Sequence, residues 1–287
     1  MEKSASEKII YLIRQKILQY FKDNKKTYAV FGKSMGLDSS VVAGLLSNLP
    51  PIKPLGVIIP IESVKEDRLI ANKVLDYYKI PKLEIDLTNE YRMLAKALFN
   101  NGLLITELKK ILNDYNDADL VNKLESKKNL VLGNIKVRMR MITLYYIANL
   151  VDGVVMGTGN YSEWWTGFWT LHGDVGDFYP ILEFYKGKEL YNIGKELKVP
   201  LESLKAVPSD GLGVTAKGTD EDQLGLPYSE LDEVIYHYLH KKTVAEIQKI
   251  TGTAGEKIKD VIGRIKSTNF KRKLPIKITR KELGLND

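Results

Sequence analysis

Short apolar segments alternate with helical segments along the first part of the chain. Strand-like runs occur at residues 28–31, 55–59, 83–85 and 153–156. Between them, apolar residues recur at the spacing of amphipathic helices. This alternation predicts an α/β fold with a three-layer, doubly wound parallel sheet, in which helices cover both faces. It also places the ligand site at the carboxyl ends of the strands, where the connecting loops meet.

The last third of the chain has a different character. Its apolar residues follow helical spacing at Leu231, Val234, Ile235 and Tyr238, and no strand-like run is evident. We therefore expect a single domain over residues 1–287. Its α/β core should cover about residues 5–200, and residues 201–287 should form a helical, basic appendage.

Four Ser/Thr-x-x-Glu patterns predict helix starts through capping boxes, at Ser4, Ser63, Thr243 and Thr253. Residues 113–128 are polar and predict a mobile connection. A long helix is expected to follow it over residues 134–150.

Composition excludes several chemistries. The 287 residues include no cysteine, which excludes disulfides, thiolate catalysis and cysteine-ligated metal centres. No signal peptide and no apolar run long enough to span a bilayer are evident, so we expect a cytoplasmic protein.

The formal net charge is +7, with many Lys and Arg residues near the C-terminus. A solvated tail, a polyphosphate ligand or a nucleic acid would each be consistent with this charge. No recognisable nucleic-acid-binding module is present, so we expect no nucleic-acid partner.

A loop of small and polar residues joins the first strand to the next helix: Gly32, Lys33, Ser34, Met35, Gly36, Leu37, Asp38 and Ser39. Gly32 to Ser34 resemble the end of a Walker A loop, but Thr27 stands where that motif needs a glycine. Small hydroxyls and backbone N–H groups at a helix N-terminus instead predict an anion site. Asp38 would repel an anion there unless Mg²⁺ bridges the two. The alternative is that Asp38 or Ser39 only caps the helix.

The segment from Ser34 to Ser39 resembles the SGGxDS pyrophosphate loop of N-type ATP pyrophosphatases. This resemblance implies cleavage of ATP between its α and β phosphates to activate a carboxylate, amide or carbonyl. Met35 replaces the first glycine of the pattern, so we expect backbone strain at this position.

A second polar cluster, residues 157–163, follows the fourth strand. It lacks the third glycine of the dinucleotide fingerprint, because Ser162 occupies that position. Its place at a strand end suits a nucleotide contact from Thr158 and a metal-binding carboxylate at Glu163. We expect Asp38 and Glu163 to meet across adjacent strand ends and to hold Mg²⁺ together with phosphate. The alternative is that Glu163 only begins a helix.

Five segments occur in a characteristic order along the chain, at residues 133–141, 157–163, 173–177, 208–212 and 219–225. Together with the loop, they closely resemble ammonia-dependent NAD synthetases over about residues 5–276. The resemblance implies amidation of deamido-NAD by ammonia through an adenylate, with ATP as co-substrate and NAD, AMP and pyrophosphate as products. It also implies a Mg²⁺ cofactor and a homodimer whose dinucleotide site spans the subunit interface.

The resemblance further assigns roles to individual residues. Those expected to contact ATP are the loop residues, Thr158, Lys186 and Ser209. Those expected to bind deamido-NAD are Arg138, Asp177 and Lys271, with Phe270 beside Lys271. Asp38, Glu163 and Lys186 are the expected catalytic residues.

Two further positions depart from the family pattern. Leu171 stands where many members have a lysine, and Phe270 replaces a histidine. Together with Met35, these departures leave open a nucleotide-binding homologue with impaired catalysis. They also leave open an ATP pyrophosphatase with another carboxylate acceptor. A glutamine-hydrolysing domain would need a cysteine nucleophile, so we expect the nitrogen source to be free ammonia or ammonia from a separate protein.

All three tryptophans lie close together, at residues 164, 165 and 169, with Phe168 between them. They predict either core or dimer packing, or a stacking wall for the nicotinate or adenine ring.

Overall fold

The computed structural model describes residues 4–100, 102–124, 126–209, 212, 218–273, 275 and 278. Four strands form its parallel sheet: β1 (Tyr28–Gly32), β2 (Lys53–Ile58), β3 (Lys82–Glu84) and β4 (Val154–Val155). Their spatial order is β3-β2-β1-β4. Strands β2 and β3 therefore lie on one side of β1, and β4 lies on the other. The strand order reverses between β1 and β4, and folds of this kind bind ligands at this switch point. The predicted doubly wound sheet is confirmed.

Alternate residues of β1 face two separate cores, because side chains alternate along a strand. Ala29 and Phe31 belong to one core and Val30 to the other. The first core contains residues of α1 (Ala5–Asp23), α2 (Leu37–Leu46), α3 (Lys65–Tyr77) and α9 (Tyr191–Glu196). The second contains residues of α4 (Thr88–Ala95) and α7 (Lys128–Leu150). Helices on both faces complete the three layers.

The other helices of the described chain are α5 (Gly102–Asp114), α6 (Ala118–Lys123), α8 (Tyr161–Thr166), α10 (Leu201–Leu204), α11 (Asp220–Leu224), α12 (Tyr228–Leu239), α13 (Val244–Thr251) and α14 (Gly255–Ser267). Two π-helical turns (Lys96–Asn100 and Lys186–Leu190) and a 3₁₀ turn (Asn269–Lys273) complete the list. Helices α12, α13 and α14 share a third apolar core, so the helical C-terminal region is confirmed.

Two of the four capping boxes form. Ser4 Oγ accepts a hydrogen bond from Glu7 N (3.1 Å), and the Glu7 side chain accepts one from Ser4 N (3.0 Å). Thr243 forms the equivalent pair with Glu246. The predictions at Ser63 and Thr253 are wrong, because α3 and α14 begin one residue later without a side-chain cap.

The segment before the long helix contains helical structure that its composition did not indicate. Residues 113–128 include α6, and α7 begins at Lys128 rather than at residue 134. Several residues of the sequence analysis lie outside the described residues: Asp210, Gly211 and part of the basic C-terminal segment. No helix of the described chain is long and apolar enough to cross a membrane.

Candidate active site

A cavity of about 860 Å³ opens at the carboxyl ends of β1, β2 and β4. Its volume is typical of small-molecule sites. The loop of residues 32–39, the segment of residues 157–160 and Lys186 all line it. The cavity therefore lies at the switch point where the sequence placed the chemistry.

The loop after β1 has the geometry of an anion cradle. Gly36 is the N-cap of α2, and no side chain caps this helix, so the interpretation of Asp38 or Ser39 as its cap is wrong. The hydroxyls of Ser34 and Ser39 lie 3.2 Å apart, and Ser34 Oγ accepts a hydrogen bond from Gly36 N (3.2 Å). Small hydroxyls therefore lie beside the positive end of the α2 dipole.

Met35 does not adopt the left-handed conformation that the expected strain required. Nine other non-glycine residues of the described chain have a positive φ, but Met35 does not.

Lys186 brings the predicted carboxylates together. Its Nζ lies 3.1 Å from Asp38 Oδ2, 3.3 Å from Glu163 Oε1 and 3.4 Å from Asp220 Oδ2. The predicted meeting of Asp38 and Glu163 therefore takes place around a shared ammonium. We refer to Lys186, Asp38, Glu163 and Asp220 as the ion cluster.

The pKa values of Glu163 and Lys186 are both raised above their usual values, for different reasons. Burial raises the pKa of Glu163 to about 8; Lys186 opposes this rise, and Asp38 and Asp220 add to it. Burial alone would lower the pKa of Lys186, but the carboxylates raise it well above its usual value. With three acids around one base, the cluster holds an excess of potential negative charge that a bound cation would relieve.

Glu163 begins a helix, as one of its two interpretations expected, and its role as a metal ligand stays a prediction. Glu163 Oε2 accepts a hydrogen bond from Asn160 N (3.3 Å), and Asn160 Oδ1 accepts one from Glu163 N (3.0 Å), which is a capping box for α8. The other carboxylate oxygen faces Lys186. The cap fixes the carboxylate in the orientation that the ion cluster needs.

Asp38 offers an oxygen for a cation. Its Oδ2 contacts Lys186 and accepts from Asn160 Nδ2 (3.2 Å), whereas its Oδ1 is buried and accepts no hydrogen bond from the described residues. Within the described chain, no three His, Asp or Glu side chains form a complete metal cage. A pair of carboxylates such as Asp38 and Glu163 fits Mg²⁺, which usually takes one or two carboxylates and completes its shell with phosphate and water.

Two members of this site, Asp220 and Tyr228, were not predicted from the sequence. Asp220 is 3% exposed and accepts a hydrogen bond from Tyr228 Oη (3.1 Å), and Lys186 Nζ lies 4.5 Å from the centre of the Tyr228 ring. Asp220 belongs to a segment that carried the family resemblance, which was the available signal. Tyr228 had no signal of its own.

Asp232 of α12 links the two segments that carry Glu163 and Lys186. Its Oδ1 accepts from Ser162 Oγ (2.5 Å), and its Oδ2 accepts from Gly187 N (2.7 Å). Ser162 Oγ in turn accepts from Lys186 N (3.1 Å). A Cβ at Gly187 would lie 2.8 Å from Asp232 Oδ2, so only glycine permits this approach. Asp232 therefore positions two members of the ion cluster from outside the cavity.

We expect Asp232→Asn to lower kcat by about 10-fold and to remove an acidic limb of the kcat–pH profile near pH 6. Burial raises the pKa of Asp232 to about 6, although the hydrogen bonds from Ser162 and Gly187 lower it in part. The carboxylate accepts both bonds above that pH, and protonation below it removes one acceptor. The measurement is kcat from pH 5 to 8. An unchanged acidic limb in the variant would contradict this role.

Four more predicted binding residues line the cavity: Arg138, Thr158, Ser209 and Lys271. Asp177 and Phe270 do not. Asp177 accepts hydrogen bonds from Val155 N (2.9 Å) and Tyr145 Oη (2.8 Å), and Phe270 is exposed at the surface. The binding roles of all six stay predictions.

The aromatic cluster spans the third core and the cavity. Trp165 and Phe168 pack against the third core, and Phe168 also lines the cavity. Trp164 and Trp169 stack on each other (5.2 Å between centres, 8° between planes) and line the cavity. The Lys271 ammonium lies 5.3 Å from the Trp169 ring centre. A stacked, partly charged surface of this kind suits a planar ring.

The fold and this site define a class: α/β proteins that bind a nucleotide polyphosphate at the switch point of a doubly wound sheet. The sequence profile of the family described as NAD synthase matches residues 9–275. The ammonia-dependent NAD(+) synthetase of Pyrococcus horikoshii is 33% identical over 268 residues, which cover 91% of this chain and 92% of that protein. The chain therefore belongs to the NAD synthase family.

Two solved structures share the fold. The NH3-dependent NAD synthetase of Campylobacter jejuni superimposes with a TM-score of 0.72 at 21% identity, covering 96% of this chain and all of that one. The NMN synthetase of Francisella tularensis gives a TM-score of 0.71 at 24% identity, covering 96% of this chain and 97% of that one.

Proposed function

We propose that this chain catalyses the ATP-dependent amidation of deamido-NAD by ammonia, giving NAD, AMP and pyrophosphate. The observation that carries the proposal is the ion cluster beside the phosphate loop, within one cavity at the switch point. The family membership of the chain supports the choice of acceptor.

In the first step, an oxygen of the nicotinate carboxylate attacks the α-phosphorus of ATP. The bond from the α-phosphorus to the bridging oxygen breaks, and pyrophosphate leaves with the electron pair. A carboxylate does not react usefully with ammonia, and the adenylate solves this because AMP is a good leaving group. The protein contributes position and charge neutralisation.

In the second step, ammonia attacks the acyl carbon. The carbon–oxygen bond to AMP breaks, AMP leaves with the electron pair, and the nitrogen loses a proton to give the amide of NAD. This step needs no covalent bond to the protein.

Asp38 and Glu163 would hold Mg²⁺, because one Asp38 oxygen is buried without a donor and the cluster carries excess negative charge. When bound, Mg²⁺ would neutralise charge on the phosphates. Lys186 would stabilise the charge that develops on the leaving pyrophosphate, and the hydroxyls of Ser34 and Ser39 would hold its oxygens.

The direct test incubates the protein with ATP, Mg²⁺, ammonium and deamido-NAD, and follows AMP and NAD together. We expect equal amounts of both products. ATP binding without turnover would instead favour an impaired nucleotide-binding homologue. A parallel reaction with nicotinate mononucleotide tests another acceptor, since a protein of the same fold is named NMN synthetase. Faster turnover of the mononucleotide would overturn the choice of deamido-NAD.

We also propose that the chain forms a homodimer through α7. Ile142, Tyr146 and Leu150 follow each other at four-residue intervals and are 70%, 64% and 68% exposed. They form an apolar stripe that a partner would cover. The neighbouring Tyr145 contacts Asp177, so a predicted dinucleotide-binding residue lies beside this stripe.

A cytoplasmic location and the lack of a nucleic-acid partner stay predictions from the sequence.

Tyr146→Glu is expected to produce a monomer and to raise the KM for deamido-NAD by about 10-fold or more, because a buried charge opposes association. The KM for ATP should change little. Light scattering after size-exclusion chromatography measures the mass, and initial rates give both KM values. Tyr115→Glu, at a 79% exposed tyrosine after α5, is the control. A wild-type chain that runs as a monomer would disprove the dimer.

A further inference from the structure

Lys33 is a buried lysine within the phosphate loop. It follows β1 and is 4% exposed. Its Nζ donates hydrogen bonds to Ser40 Oγ (2.9 Å), to Ser39 Oγ (3.2 Å) and to the backbone oxygen of Ser34. All three partners are neutral, and they use all three of its donors. Within the described chain, no carboxylate forms an ion pair with Lys33.

A buried ammonium without a counter-ion is costly, and proteins usually pair such groups. Burial lowers the pKa of Lys33 to about 7, and the charge of Asp38 opposes this fall only in part. The N-terminus of α2, at Gly36, adds partial positive charge in the same place. Lys33 is therefore close to losing its proton at neutral pH, and an anion bound in the cavity would favour its charged form.

We propose that Lys33 is the counter-charge within the loop for pyrophosphate, and that it sets how tightly the enzyme holds this product. The inference rests on the proposed function, in which the loop binds the β and γ phosphates of ATP. Lys33 acts through its charge and through the serine hydroxyls that it orients, because its own donors are already engaged. It is a positioning residue, and it should affect the pyrophosphate end of ATP more than the acceptor.

This role predicts that stability and anion affinity change independently. Lys33→Met removes a buried charge and keeps an unbranched side chain of similar length, so the folded state should lose little stability or gain some. Ser39 and Ser40 keep their hydrogen bonds to the backbone oxygen of Gly36 (3.2 and 2.8 Å). If Lys33 only supported the fold, its replacement would lower stability and leave the affinity for the anion unchanged.

The experiment is isothermal titration of the full-length protein with inorganic pyrophosphate in the presence of Mg²⁺. We expect Lys33→Met and Lys33→Gln each to weaken binding by about 10-fold or more, since both remove the charge and the glutamine keeps a hydrogen-bond donor. Melting temperatures of both variants should equal or exceed that of the wild type. Pyrophosphate should also inhibit turnover of both variants less strongly, with the KM for deamido-NAD unchanged.

Lys53→Met is the matched control, because Lys53 is an exposed lysine at the opposite end of the sheet, where β2 begins. Wild-type affinity in either Lys33 variant would overturn the inference, and so would a clearly lowered melting temperature in both. A wild-type protein that binds neither pyrophosphate nor ATP would contradict the proposed function itself. Binding by the wild type with unchanged affinity in the variants would overturn only the role of Lys33.

Discussion

Asp38→Asn is expected to reduce the rate of NAD formation by about 10³-fold or more, because it removes a charge on which the cluster and the cation both depend. The substitution keeps the shape of the side chain and its contact with Asn160 Nδ2, so the fold should persist. Glu163→Gln should have a similar effect, since Glu163 Oε1 faces the same ammonium. The measurements are the initial rate of NAD formation and ATP–pyrophosphate exchange without ammonia.

The exchange assay isolates the adenylation step. We expect both rates to fall together, because the cluster acts where pyrophosphate leaves. Asp76→Asn is the control, since Asp76 is exposed and forms an ion pair with Lys82 (2.7 Å) outside the cavity lining. An Asp38 or Glu163 variant with a rate within about 10-fold of wild type would mean that the assigned carboxylates are not essential.

Lys186→Met should lower kcat by about 10²- to 10³-fold, because it removes the cation that faces the leaving pyrophosphate. It should also alter the pH dependence of stability. Burial already raises the pKa of Glu163 to about 8, and the variant loses the ammonium that opposes this rise, so the pKa of Glu163 in the folded state rises further. The folded state then holds protons that the unfolded state releases, and stability falls as the pH rises.

Thermal unfolding between about pH 7 and 10 tests this expectation, because folded wild-type Glu163 loses its proton near pH 8 and the variant keeps it to higher pH. Above about pH 8 the melting temperature should fall more steeply for the variant than for the wild type. Lys195→Met is a matched control, because Lys195 is exposed and lies over the Tyr191 ring at the same 4.5 Å that separates Lys186 from the Tyr228 ring. Unchanged kcat in Lys186→Met would remove Lys186 from the chemistry, whatever its effect on stability.

The fold could be predicted because strand and helix periods are local properties. The buried runs of β1, β2 and β4 contain few polar residues, which is typical of parallel strands covered on both faces. Capping boxes were less reliable, because a matching pattern competes with tertiary contacts. Thr253 Oγ1 donates to Glu230 (3.3 Å) instead of capping α14, and Ser63 Oγ accepts from Ile61 N (3.2 Å) instead of capping α3. No local pattern reveals such partners.

The site was predictable where it lies at strand ends and less so where distant segments complete it. Asp38 and Glu163 follow β1 and β4, so the sheet topology itself brings them together. Asp220 and Asp232 reach the site from the C-terminal region by tertiary contacts, and these contacts had no signature in sequence spacing. The expected strain at Met35 was wrong because the loop in this chain does not use a left-handed conformation there.

Transfer of oxygen-18 from the acceptor shows whether its carboxylate attacks the α-phosphorus of ATP. Deamido-NAD labelled at both nicotinate carboxylate oxygens is converted with ATP and ammonium, and mass spectrometry locates the label. If the carboxylate attacks the α-phosphorus, one labelled oxygen must appear in AMP and the other must stay in the amide of NAD. Release of ADP and labelled phosphate, or unlabelled AMP, would show that the carboxylate is not activated at the α-phosphorus.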